Sequence, residues 1–220
     1  MSRQAAPADG SPADVLLAQY EACFREHGRS HLGVNWPNAA DLDRRFDVML
    51  GLLRPEPRRP SVLDLGCGPG LLLDHLEAIG RRGDIDYSGI ELSELMLEAA
   101  RKQWPDYDFR RRDIVQEPLA ARSVDYVILN GVLTWRPSVP RDEMVDYALG
   151  LLAAAYEAAR VGIAFNVMSK HVDWEREDLF HWGFDEMATA VGARLSRHLT
   201  IRADYGLYEY TVYVYREPSA

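Results

Sequence analysis

The sequence predicts an α/β fold, a mostly parallel sheet with helices on both faces. Three observations predict it. From residue 61 onward, short apolar runs of strand length alternate with longer segments of helical periodicity, the pattern of βαβ units. The first run leads straight into the glycine-rich stretch "LGCGPG" at 65–70, at the carboxyl end of a strand, where open α/β sheets bind ligands. The chain closes on two extended runs separated by a short turn around Tyr205 and Gly206. That last pair must be antiparallel, because parallel neighbours need a crossover of about a dozen residues.

The elements follow in order. Ser11 and Pro12 read as an N-cap and a first helical position, and Leu16, Leu17, Tyr20, Cys23 and Phe24 recur at helical spacing until Gly28. "RSHLGVNWPN" is a loop, and Asn38 caps a second helix with Leu42, Phe46, Met49, Leu50 and Leu53 on one face. "RPEPRRP" at 54–60 stops it, because proline cannot continue a helix, and marks a boundary between a helical segment and the rest. Then come strand "SVLDL" (61–65), helix "GLLLDHLEAI" (70–79), strand "IDYSGIEL" (85–92) and a helix opened by Ser93 and ended by Pro105. Strands "YDFRRRD" (107–113) and "VDYVILN" (124–130) precede a long helix over 141–160 and strand "VGIAFNVM" (161–168). A helix over 184–193 and the extended runs 194–204 and 207–217 complete the chain. Tyr208, Tyr210, Val212 and Val214 share one face of the last strand, and Glu209, Thr211, Tyr213 and Tyr215 the other, a sheet-packing alternation.

Composition narrows the class. The 220 residues are 47% hydrophobic and 27% charged, with a net charge of −9, which suits a globular domain and disfavours nucleic-acid binding by counterion displacement. The cluster Arg110, Arg111, Arg112 reads as a solvated strand end. No apolar run reaches the roughly 20 residues that cross a bilayer, so no membrane partner is expected. "MSRQAAPADGSPAD" has no apolar core of a secretory signal and reads as a flexible lead-in. Two cysteines, Cys23 and Cys67, form no CxxC pair, so a reducing, cytoplasmic setting is expected. No HExxH occurs and the histidines lack zinc spacing, so no metal is expected.

The glycine loop raises the question of its ligand. Gly66 and Gly68 let a ligand approach the backbone without a Cβ in the way. A phosphate-cradling P-loop needs a Lys and a Ser or Thr after the glycines, and neither follows. A dinucleotide loop places its third glycine where Leu71 stands here, so the GxGxG spacing disfavours NAD. "VLDLGCGPG" resembles the first motif of class I S-adenosylmethionine-dependent methyltransferases, and the resemblance runs from about residue 40 to the C-terminus. It implies a Rossmann-like methyltransferase fold, a seven-stranded sheet in the order 3-2-1-4-5-7-6 with an antiparallel C-terminal strand. It also implies that S-adenosylmethionine is the cofactor.

Site residues carry over from that resemblance. Glu91, about 20 residues past the loop, would accept the ribose hydroxyl protons; its plain alternative is to cap the helix beside Ser93. Asp113 would bond the adenine amino group and Ile114 the ring, with Leu92 and Met96 on the adenine faces. Asn130 and Gly131 in "VDYVILNGVLTW" would lie near the methionine end. Asp64 would help place the ammonium or anchor the loop through backbone amides, and Cys67 is a small loop residue of the same motif.

Residues 1–37 read as a flexible N-terminus plus a helical lid, and 38–220 as the cofactor-binding methyltransferase domain with substrate-recognition insertions. Tyr20 and Trp36 are expected to close over the methionine end, Tyr20 having a core role as its alternative. Arg44 or Arg45 would pair with the cofactor carboxylate, one of the two lying at the surface. His171 and Asp173 are the candidates for acceptor binding or proton removal, against a helix-capping role. The expected reaction is in-line methyl transfer to an O or N nucleophile of a small molecule, a biosynthetic metabolite or sugar-like acceptor. "DYGLYEYTVYVYR" is similar to a bacterial branch of the family associated with such biosynthesis. Alternatives are a methyltransferase acting on protein or RNA, an NAD-dependent oxidoreductase, or a non-catalytic partner subunit. "LNGV" stands where macromolecular amide or exocyclic-amine methyltransferases carry NPPY or DPPY. The sequence carries no signal for oligomeric state.

Overall fold

The computed structural model describes residues 11–55 and 58–218. The expected lead-in over residues 1–10 lies outside them. Strands β1 (Ser61–Leu65), β2 (Asp86–Glu91), β3 (Asp108–Arg111), β4 (Val124–Leu129), β5 (Ala159–Met168), β6 (His198–Arg202) and β7 (Glu209–Tyr215) form one sheet. Their order is β3-β2-β1-β4-β5-β7-β6, as the family resemblance implied. The pairs from β3 across to β5 are parallel, and β7 runs antiparallel to both β5 and β6.

Each element has a local cause. Helix α1 (Pro12–His27) starts from a capping box, in which Ser11 and Asp14 each bond the other's backbone N–H. Helix α2 (Ala39–Leu50) is capped by Asn38, whose side chain accepts from Ala40 and Asp41 N–H. Helices α3 (Leu71–Ala78), α4 (Glu94–Gln103), α5 (Arg141–Ala158) and α6 (Phe184–Arg194) complete the set. The long helix stops two residues earlier than its pattern suggested, because Ala159 and Arg160 already belong to β5. The run 194–204 is extended only from His198, since α6 continues through Arg194. A single 3-10 turn at Arg82–Asp84 left no signal in the periodicity.

Two apolar layers sandwich the sheet. Leu63, Val127, Phe165 and Val212 pack with residues of α5 and α6 and with Leu16 of α1. Val62, Tyr126, Ile128 and Ala164 pack with residues of α2, α3 and α4. Alternate strand residues therefore face opposite layers, and β7 splits as its pattern required: Tyr210, Val212 and Val214 to one side, Tyr213 and Tyr215 to the other. Tyr208 falls just outside the strand and is exposed. The proline stretch after α2 does not detach that helix from the sheet, for Met49 and Leu52 are fully buried. The phenols of Tyr213 and Tyr215 donate to the carbonyls of Val48 and Leu52, satisfying the end of α2. Among the described residues no helix is long and apolar enough to cross a membrane, and no group of three metal-ligating side chains occurs.

Asp125 pins the sheet at the end away from the glycine loop. Its carboxylate is fully buried and accepts from Arg58 at 2.6 and 2.8 Å, Arg160 at 2.9 Å, and the N–H and Oγ of Ser61 at 2.9 and 2.8 Å. Burial pushes this carboxyl up, but the donors outweigh it and hold it below the usual carboxylate range. Asp125→Ala should therefore cost about 2–3 kcal/mol in denaturant unfolding at neutral pH. The native group binds fewer protons than the unfolded one, so its contribution is complete above about pH 4 and fades on acidification. The gap between wild type and variant should narrow as pH falls below that value.

Candidate active site

The site is built on the turn that follows β1. Gly66 and Gly68 take positive φ of 77° and 53°, and the N–H groups of Gly66 and Cys67 both donate to Ile90 O at 2.8 and 3.1 Å. The bend is thus tied to the end of β2. At Gly66 a Cβ would meet Val132 Cγ2 at 2.4 Å, so only glycine combines the backbone turn with that approach. Arg29, in the loop after α1, clamps the bend from outside. It donates to Pro69 O at 2.9 Å and Gly70 O at 3.3 Å and pairs with Asp74 at 2.6 Å.

A cavity of about 880 Å³, counted to its open mouth, lies against this bend. Its wall includes Gly66, Gly68, Glu91, Leu92 and Met96, then Asp113, Ile114, Asn130 and Gly131, and finally Tyr20 and Trp36 from the N-terminal segment. These predicted residues come together. Arg44, Asp64 and Cys67 do not reach the wall. Asp64 shares the strand face of Val62 and lies buried beneath the bend, accepting from Tyr87 Oη at 3.0 Å. Burial pushes its carboxyl up to about 7. Cys67 is buried against β2, where a Cβ on Gly89 would come within 2.8 Å of its sulfur. Both support the bend from below.

Glu91 takes the capping role beside Ser93 and lines the cavity as well. Its Oε1 accepts from Leu92 and Ser93 N–H at 2.7 and 3.0 Å, and its Oε2 from Gly68 N–H at 3.0 Å. A carboxylate offers about four lone-pair sites, so one on Oε2 remains free in a residue that lines the cavity. Burial raises the Glu91 carboxyl, and the three backbone donors oppose that shift. Asp113 accepts from Val115 and Gln116 N–H through Oδ1 alone. Asn130 Oδ1 is buried without a hydrogen-bond partner, an acceptor waiting for a donor.

Several wall residues escaped the sequence reading. Tyr147 and Leu151 enter from α5, and Ala13, Leu16 and Leu17 from α1. Burial pushes the Tyr147 phenol up to about 12, and the carboxylates of Asp113 and Glu91 add to the effect. Arg112 is also on the wall, whereas Arg110 and Arg111 are exposed, so the basic cluster is only partly the solvated strand end it resembled.

Helix α1 forms one side of this cavity. Tyr20 Oη donates to Gly131 O at 2.8 Å, an oxygen that also accepts from Thr134 Oγ1 at 2.9 Å. Ser93 Oγ donates to Glu21 at 2.8 Å, fastening α1 to the start of α4. Gly131 has φ of 80°, and a Cβ there would sit 2.9 Å from the Trp36 ring. A buried polar chain continues from this point: Gly131 N–H donates to Asn166 Oδ1, and Asn166 Nδ2 to Glu209 Oε1. Arg45 Nε and Nη2 each donate to Glu209 Oε2 at 2.8 Å. Arg45, not Arg44, is the inward arginine, and its guanidinium lies 3.7 Å from the Trp36 ring centroid. Arg44 is exposed and donates to Tyr205 O at 3.2 Å.

A second cavity, about 1460 Å³ to its mouth, begins on the other side of Trp36, which lines both. Asp173 is on its wall. His171 lines neither cavity and packs its ring 4.8 Å from that of Phe184. His181, also on the wall, is buried between Ser169 O at 2.6 Å and Arg176 N–H at 3.2 Å. It donates through Nδ1 and accepts through Nε2, the neutral tautomer.

A mostly parallel sheet with this strand order, its antiparallel β7 and a cavity at the β1 bend define a methyltransferase class, and comparisons with known proteins agree. A family model described as a methyltransferase domain matches residues 62–155. The Mycobacterium tuberculosis protein named "Putative methyltransferase Rv1506c" is 31% identical over 156 residues, 70% of this chain and 92% of its own length. Trans-aconitate 2-methyltransferase of Rhizobium rhizogenes is 36% identical over 84 residues, 38% of this chain and only 32% of that enzyme. The S-adenosylmethionine-bound structure of magnesium protoporphyrin IX methyltransferase from Synechocystis PCC 6803 superposes with a TM-score of 0.67 at 16% identity, covering 96% of this chain and 100% of its own. The chain belongs to the class I S-adenosylmethionine-dependent methyltransferases, and S-adenosylmethionine is its cofactor. The unpartnered Asn130 oxygen and the glycine bend beside Glu91 fit that group.

Tyr20→Phe removes one of two donors to Gly131 O. Because Thr134 keeps that oxygen bonded, unfolding should show a loss near 0.5–1 kcal/mol. The affinity for S-adenosylhomocysteine should weaken a few-fold as α1 loosens over the cavity. Unchanged affinity would mean that α1 does not hold the cavity closed.

Proposed function

We propose that this enzyme methylates an O or N nucleophile of a small molecule held in the second cavity. The observation that carries the reading is the shared wall: Trp36 borders both cavities, so a molecule in the second lies beside the Asn130–Gly131 end of the first. S-adenosylmethionine, when bound, supplies an activated methyl group on a sulfonium.

The chain's residues bind, orient and exclude water. The free direction on Glu91 Oε2 accepts a ribose hydroxyl proton. Asp113 accepts from the adenine amino group through Oδ2, while Leu92, Met96 and Ile114 flank the ring. Asn130 Oδ1 accepts from the amino-acid end. Tyr20 and Trp36 close the cavity where the reacting atoms meet, and alignment of this kind is worth ~7–11 kcal/mol in favourable cases. Asp173 contacts the acceptor and takes its proton where the nucleophile must lose one. His171, two residues away, adds less, since it lies outside the cavity wall.

Because Glu91 also holds three backbone N–H groups, Glu91→Ala would disturb the bend itself. Glu91→Gln is the milder test, since its amide oxygen can keep the Leu92 and Ser93 bonds and only the one from Gly68 is given up. Calorimetry should show S-adenosylhomocysteine binding about tenfold weaker in this variant, and unchanged affinity would remove the ribose assignment. With methyl-labelled cofactor and a cell extract split by ultrafiltration, chromatography of the filtrate should show label in a small-molecule product distinct from the cofactor. Asp173→Asn should slow that transfer more than His171→Ala. Label confined to protein or RNA in the retentate would overturn the small-molecule reading.

A further inference from the structure

We propose that the second cavity selects a flat, largely apolar acceptor that presents an uncharged oxygen, such as a carbonyl, to Asn35 and Arg45. The proposal rests on the reading that this cavity receives the acceptor. Two residues of its wall, Asn35 and Arg45, each carry a buried donor without a hydrogen-bond partner, Nδ2 and Nη1. An unmet buried donor is destabilising, and a ligand oxygen brought between these two residues by a small side-chain shift would satisfy both.

Both residues are held in place. Asn35 has φ of 65°, its N–H donates to Leu32 O at 2.9 Å, and Cys23 Sγ lies 3.7 Å from its Oδ1. The backbone of Asn35 is held by the turn, and Nδ2 is the unpaired end of its amide. Arg45 is 8% exposed, with one edge locked on Glu209 and its face on Trp36. Nη1 is the remaining corner.

Charge then decides what kind of oxygen is favoured. Glu209, itself 2% exposed, already balances the Arg45 cation. Arg176, also on the wall, is paired with Asp178 at 2.6 Å. Asp41 and Asp173 line the same cavity. A ligand carboxylate would add a second anion to one already matched pair, next to two further carboxylates, in a partly desolvated space. A neutral oxygen takes both hydrogen bonds without that repulsion. The remaining wall favours a planar body: Trp36 and Trp135 lie within, and Trp174 and Tyr208, 73% and 70% exposed, stand at the cavity with faces for a ring to cover.

The test titrates protein saturated with S-adenosylhomocysteine with three probes, naphthyl methyl ketone, naphthoate and naphthalene, read by calorimetry. The ketone should bind about tenfold or more tighter than either of the others. Asn35→Asp keeps the side-chain shape but turns the donor into an acceptor. It should abolish the ketone's advantage while leaving the affinity for S-adenosylhomocysteine intact, which also reports that the variant is folded. Naphthoate binding as tightly as the ketone overturns the proposal. So does no ketone binding at about 1 mM, or a preference that Asn35→Asp leaves unmoved. These results strike the oxygen assignment alone, whereas label confined to macromolecules in the ultrafiltration experiment strikes the functional reading beneath it.

Discussion

The left-handed turn at Gly66 is the constraint on which the site depends. It sends the chain from β1 across the end of β2, where two successive N–H groups converge on Ile90 O. That placement brings the Gly68 N–H to Glu91, and Glu91 in turn fixes the start of α4 through Leu92 and Ser93. One carboxylate therefore sets the bend, the helix and the orientation of its own remaining lone pair. A side chain at Gly66 would drive into Val132, on the segment after β4, and would disturb the neighbouring strand end as well. The cavity lies at the carboxyl ends of β1 and β4, the switch point where crossovers leave the sheet in opposite directions.

A second constraint joins the two cavities. The chain of groups from Tyr20 through Gly131, Asn166 and Glu209 to Arg45 is buried, and each link bonds the next. Such networks are electrostatically strong in a low dielectric and intolerant of a missing member. Here the network ends on the face of Trp36, the residue common to both cavities. The partition is thus fixed by α2, β5 and β7 rather than by the N-terminal segment alone. Asp125 does comparable work at the opposite end of the sheet, where it ties β1, β4 and β5 with no part in the site.

Much of this was legible in the sequence, for identifiable reasons. Strands buried on both faces read as continuous apolar runs, and the glycine bend has few structural uses. Glu91 and Asp113 could be found because each stands at the end of a strand beside the bend. The sequence reading leaves Arg44 and Arg45 open, although the helical pattern separates them: Arg45 lies three residues after Leu42 and four before Met49, on the face that α2 buries. Asp64 and Cys67 were harder, because a motif names its residues without saying which of them face the ligand. The alternation that puts Asp64 with Val62 is what turns it away. Arg29 and Asn35 had no signal at all: Arg29 meets Asp74 from 45 residues away, and the unpaired state of Asn35 is a property of the folded wall. His171 and Asp173 sit in a loop, where spacing says nothing about direction, and only Asp173 reaches the cavity.

The most direct measurement is a crystal structure of the protein with S-adenosylhomocysteine. The account predicts the ribose against Glu91, the adenine between Met96 and Ile114 with its amino group at Asp113, the amino-acid end at Asn130, and the sulfur turned toward Trp36. A nucleoside found outside the cavity at the β1 bend, or a sulfur turned away from Trp36, would contradict it.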